Sequence, residues 1–221
     1  LLGIGACLGA GVIGSVIVTL YVSVLEYFQV FIPAPDLSLS SGAPIATVLL
    51  LIYGCLLGPI LEEVIFRGFF LKFLQRFGSA FAIVFSAILF SLFHMNTIQL
   101  VPPFLIGLIL GFVTVQSKSI VPAIIIHGVN NGVCFLMDEG FSNPEMLSFW
   151  IANSIFLVCA IGSLIVFIVL YRKKISGLFL WEKQTLPMGK GLAKAFSTPL
   201  IIVYLGIYIG TIVVPFVITN L

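Results

Sequence analysis

The stretch "GPILEEVIFRGFF", residues 58–70, puts Glu62, Glu63 and Arg67 within six positions of one another in a run that is otherwise almost wholly apolar. The chain around it is 61% hydrophobic and only 8% charged over 221 residues, with a mean hydropathy of +1.27. Soluble domains are about half apolar and about a quarter charged, so this composition is that of an integral membrane protein. Long apolar runs with short polar breaks predict helices, since barrel strands alternate over about ten residues. The stretch is therefore read as part of a membrane-embedded helix.

Seven apolar segments follow from the hydropathy pattern: residues 1–31, 44–77, 79–95, 98–116, 120–137, 149–170 and 198–218. The breaks are "PAPDLSLSSG", "RFGS", "SKS", "DEGFSNPE" and "YRKKISGLFLWEKQTLPMGKG". The expected fold is all-α, a polytopic transmembrane helix bundle forming one membrane domain over residues 1–221. The first run lacks the basic start of a signal peptide and is long enough to span. The chain starts at Leu1 inside that run, without Met, and is expected to be a fragment with an upstream helix missing.

Charge placement tests this reading. If the segments alternate, all ten basic residues fall on one side: Arg67, Lys72 and Arg76, then Lys118, then Arg172, Lys173, Lys174, Lys183, Lys190 and Lys194. Asp36, Asp138, Glu139 and Glu145 fall on the other. The basic side is expected to be cytoplasmic, with "ISGLFLWEK" lying along the membrane surface and Trp181 at the interface. Glu26 sits toward the outer interface and receives no role. A net charge of +2 suggests no nucleic-acid partner. The cysteines Cys7, Cys55, Cys134 and Cys159 have no metal-ligand spacing and read as buried small hydrophobes. Gly107 and Gly111, at GxxxG spacing, read as a close helix contact.

The segment from 44 to 77 runs to about 50 Å as a helix, so it must tilt or bend, and Gly54, Gly58 and Pro59 offer a place. Counted back from Arg76, Glu62 lies about 21 Å below the basic end. A carboxylate there costs roughly 3 kcal/mol or more unless it is paired or reaches water. Only two histidines exist, and both lie inside apolar segments. His94 lies about 22 Å in from Ser79, and His127 about 10 Å and Asn131 about 16 Å in from Ile120. His127 and Asn131, four apart, share a helix face. One cavity would let these groups satisfy each other.

Glu63 and Arg67 have the spacing of an intrahelical ion pair. Glu62 lies about 100° around the helix from Glu63, which leaves its carboxylate for another partner. A lone membrane histidine is often only a hydrogen-bonding tie between helices, and Asn130 reads the same way. Two histidines at a depth like that of a free carboxylate suggest chemistry instead. A carboxylate and an imidazole can take a proton from water attacking a carbonyl, and an imidazole and an amide can donate to the oxyanion. No serine sits in a GxSxG motif. Glu62, His94 and His127 are also ligand types for zinc, although the spacing is not HExxH.

These residues fall into three motifs that resemble those of the CPBP family, also called ABI, which contains CAAX proteases and bacteriocin-processing enzymes. "EEVIFR" (62–67) looks like EExxxR, "FSLFH" (90–94) like FxxxH, and "HGVNN" (127–131) like HxxxN. Order and separation also fit, and the resemblance covers residues 58–137, the expected catalytic core. It implies an intramembrane endopeptidase with a core similar to Rce1-type CAAX proteases. By that resemblance Glu62 and His94 activate water, His127 and Asn131 form the oxyanion hole, and Glu63 and Arg67 support the site. It favours a glutamate-type enzyme without a cofactor, a zinc enzyme remaining the other form. The implied partners are membrane lipid and a membrane-associated or prenylated peptide, in a bacterial cytoplasmic membrane. Two other functions use the same residues: a bacteriocin-immunity or scaffold protein that only binds, and a proton-coupled transporter. Intact motifs count against the first, and the lack of inverted repeats against the second.

Overall fold

The computed structural model describes residues 1–30, 44–140, 147–181 and 187–220. Among them all regular structure is helical. In chain order the helices are α1 (Leu2–Tyr27), α2 (Ile45–Phe77), α3 (Ser79–Phe93), α4 (Val101–Ser117), α5 (Val121–Gly140), α6 (Leu147–Ser176), α7 (Met188–Phe196) and α8 (Pro199–Asn220). Three stretches, Leu2–Tyr27, Ile45–Phe77 and Ser148–Phe179, are long and apolar enough to cross a membrane. Ser79–Phe93, Val101–Ser117 and Val121–Met137 are shorter apolar helices, and α7 and α8 form one bent pair with a 72° break. The seven-segment reading is thus met. The protein is an integral membrane protein, and large side chains such as Leu20, Val158 and Leu170 are turned outward, as a bilayer-facing surface requires.

Short turns fix the up-and-down order. Gly78, with φ 122°, takes a backbone conformation closed to other residues and lets α3 fold back on α2. Between α4 and α5 the chain reverses through Lys118 in the left-handed region, φ 56°. α1 presents a face of small residues, Ala6, Cys7, Gly9, Ala10 and Gly14, and packs on α6 and α4. α3 packs on α4, where a Cβ on Gly107 would lie 3.0 Å from that of Ala87. A Cβ on Gly111 would lie 3.3 Å from Ile83, so both glycines of that pair serve close packing. Leu71, Phe81, Ala82, Leu110 and Ala123 lie in the core among these helices.

Three features depart from the sequence reading. α6 continues past Leu170 to Ser176, because Arg172, Lys173 and Lys174 can leave the bilayer without leaving the helix. α4 starts at Val101, three residues late, because the Asn96 carboxamide accepts the N–H groups of Ile98 and Gln99 and holds them in a turn. Residues 188–196, expected as loop, form the amphipathic α7, whose Leu192, Ala195 and Phe196 pack on the core. Of the cysteines only Cys7 is buried; Cys134 and Cys159 are exposed on the apolar exterior. Of the proposed surface segment at 175–183, residues 182 and 183 lie outside the described residues, as do Asp36 and Glu145.

Candidate active site

α2 is not a uniform α-helix. Tyr53–Leu57 and Val64–Leu71 are π turns, on either side of Gly58–Glu63. The first coincides with the expected bend. The Gly58 N–H bonds five residues back, to the Tyr53 carbonyl. In that register the next donor would be Pro59, which has no N–H, and it would have served the Gly54 carbonyl. α5 supplies the substitute: the Asn131 Nδ2 donates to the Gly54 carbonyl at 2.9 Å. α5 also comes close to the Cys55 carbonyl, because a Cβ on Gly128 would sit 2.5 Å from that oxygen. Gly128→Val is therefore expected to push α5 off α2 and to destabilise the protein by about 1–3 kcal/mol. Gly132→Ala, whose Cβ would meet the Cys55 sulfur at an ordinary 3.8 Å, should leave stability unchanged. Thermal unfolding of the two variants in one detergent checks the contrast.

The helix contact carries the polar groups into one cluster. Arg67 Nη1 donates to Glu63 Oε1 at 2.7 Å, and both side chains are wholly buried. Arg67 Nη2 donates to the Gly107 carbonyl at 3.2 Å, and the guanidinium lies 4.4 Å from the Phe90 ring centroid. The His127 Nδ1–H donates to the same Glu63 oxygen at 2.9 Å. A carboxylate already paired with arginine can only accept, so Nδ1 carries the proton. The other ring nitrogen, Nε2, then points to Glu62, with its Oε2 3.7 Å away. That is too long for a direct hydrogen bond. Glu62 is 23% exposed, in contrast to its neighbour Glu63 at 0%. The two adjacent carboxylates thus divide as their spacing predicted: one locked, one open.

His94 closes α3. Its Nδ1–H donates to the Phe90 carbonyl one turn back at 3.0 Å, since helix-end carbonyls lack backbone partners. A carbonyl only accepts, so Nε2 of the neutral ring carries the lone pair. Phe90 meets both imidazoles edge-on, His94 at 5.1 Å and His127 at 5.6 Å between ring centroids. The structure therefore gathers Glu62, Glu63, Arg67 and His127, with His94 beside them across Phe90. Asn131 is on the same helix as His127 but is tied to Gly54. Asn130, buried, donates from its Nδ2 to Asn131 Oδ1 at 3.4 Å.

Sequence reasoning gave no role to Phe90 or to the Gly107 carbonyl. The signal for Phe90 was its place four residues before His94, on the same helix face. A backbone carbonyl leaves no trace in a sequence. Among the described residues no three His, Cys, Asp or Glu side chains are grouped to hold a metal ion.

Residues 44–133 match the model of a protein family, the type II CAAX prenyl endopeptidase Rce1-like family. The matched segment contains all three motifs and bears out the resemblance read from them. No curated protein and no solved structure matches the chain.

Proposed function

We propose that the Rce1-like domain at residues 44–133, a domain of the CAAX-protease type, makes this chain an intramembrane endopeptidase in which Glu62 and His94 activate water. The observation that carries the reading is the buried relay Arg67–Glu63–His127, which turns His127 Nε2 to within 3.7 Å of Glu62. A relay that fixes one imidazole and leaves one carboxylate partly exposed suits acid–base chemistry on a substrate beside them.

The steps follow from the groups. Water beside Glu62 gives its proton to that carboxylate while its oxygen attacks the scissile carbonyl carbon, with the His94 Nε2 lone pair holding the second O–H. In this role His127 carries a proton on each ring nitrogen, its Nδ1–H held by Glu63 and its Nε2–H donating to the oxyanion. The second N–H of the Asn131 amide donates as well, the first being spent on Gly54. When the C–N bond breaks, Glu62 returns its proton to the leaving amine. Both halves of the water end in the products.

The substrate we assign is a membrane-associated peptide bearing an apolar or lipid group, as the prenyl endopeptidase match suggests. Leu61 and Ile65, flanking Glu62, are exposed, so the approach is apolar. The basic helix ends face the cytoplasm of a bacterial cell in this reading, and no nucleic acid takes part. Peptides released from membranes carrying the wild type are expected to be missing from membranes carrying Glu62→Gln at equal protein level. Identical peptide profiles from the two would sink the reading and leave a binding or immunity role on the same fold.

A further inference from the structure

α8 lies outside the segment that matches the family, yet it reaches the turn that carries His94. The Tyr204 hydroxyl donates to the Leu92 carbonyl at 2.7 Å, and the Tyr208 hydroxyl to the Asn96 carbonyl at 3.2 Å. The two tyrosines are four residues apart and so lie on one helix face. Their bonds meet the main chain two residues before and two residues after the imidazole.

We propose that Tyr204 and Tyr208 are positioning residues for His94, which rests on the reading of His94 as a water-activating group. The turn needs such support. α3 ends at Phe93, and its last carbonyls have few helical partners. Met95 is in the left-handed region, φ 51°, which a residue with a side chain adopts only under constraint. The turn has other ties of its own: Asn96 receives Ile98 and Gln99, and the Ser91 hydroxyl donates to the Leu100 carbonyl. Those ties close the far side of the turn toward α4. The tyrosine pair is the contact that brackets the imidazole from another helix.

The residue type argues in the same direction. α8 is otherwise almost entirely Leu, Ile, Val and Gly in this part. A hydroxyl in such a helix is costly in an apolar setting unless it is bonded. Tyr208 is 6% exposed, and its bond, like that of Tyr204, goes to the His94 turn. The His94 ring is held at Nδ1 by Phe90 on its own helix. α8 thus holds the main chain while α3 holds the ring, and the direction of Nε2 depends on both.

The test uses the full chain with 15N-labelled histidine in nanodiscs. Two histidines give two sets of ring signals, assigned by His94→Gln. In Tyr204→Phe/Tyr208→Phe, which keeps both rings, the His94 signals are expected to shift or broaden while those of His127 stay. On a peptide found by the profiling above, kcat is expected to fall about tenfold with KM unchanged, as small misplacements of a reacting group do. A folded double variant with both histidine signals unmoved overturns the proposal, and so does a lowered unfolding temperature with His94 undisturbed, which marks a plain anchor. The single variants repeat the test if the double variant fails to fold. The spectroscopic arm needs no turnover, so it fails or succeeds apart from the protease reading.

Discussion

Glu62→Gln is expected to lower kcat by about 10³-fold, within the usual range for removal of a general base, and to leave the fold intact. Glutamine keeps the length and shape of the side chain but cannot take a proton from water. The fold should tolerate the change because Glu62 is outside the Arg67–Glu63 pair and is 23% exposed, so that buried pair is left intact. Glu62→Asp keeps the carboxylate but retracts it, and is expected to fall between the two. Initial rates of the three purified proteins on one peptide, with unfolding temperatures matched, check the order. Equal rates for wild type and Glu62→Gln would remove Glu62 from the chemistry.

Arg67→Met is expected to produce the largest loss of stability in the molecule, about 3–5 kcal/mol. It leaves the Glu63 carboxylate, at 0% exposure, without its guanidinium partner and takes the donor from the Gly107 carbonyl. Arg67→Lys should recover only part of this, because a single ammonium cannot copy the two-directional reach of the guanidinium to Glu63 and Gly107. The double variant Glu63→Gln/Arg67→Met removes both charges and is expected to be more stable than Arg67→Met alone. It should still be inactive, since His127 Nδ1 loses its carboxylate partner. Recovery of folded protein by size-exclusion chromatography, with thermal midpoints, for the wild type, Glu63→Gln, Arg67→Met and the double variant completes the double-mutant cycle.

The helices were legible because a bilayer leaves the backbone few choices: long apolar runs must be helical, and Gly78 and Lys118 mark where they turn. The Glu63–Arg67 pair was legible because both members sit on one helix at a fixed spacing. That Glu63 also takes His127 was not, because the contact joins α2 to α5 and depends on how the two helices are rotated. The π turns were half legible. Gly54, Gly58 and Pro59 announced the first, whereas nothing in "VIFRGFFL" announces the second. Asn131 was read as facing the reaction, and the structure gives one of its N–H bonds to Gly54. A sequence shows the amide but not the carbonyl that Pro59 leaves for it. α7 was missed because nine residues are too few for a hydropathy window to register.

The two π turns also set how α2 tolerates changes in length. A π turn holds one residue more than the α-helical path needs, so it is the natural place for an insertion or a deletion. Removing one residue within Tyr53–Leu57 would return that stretch to α register and leave the residues on either side on about their present faces. The same deletion in the plain α-helical part between the two turns would rotate one side against the other by about 100°. In that sense the two π turns are the slack in α2, where chain length can change without re-aiming Glu62 and Glu63.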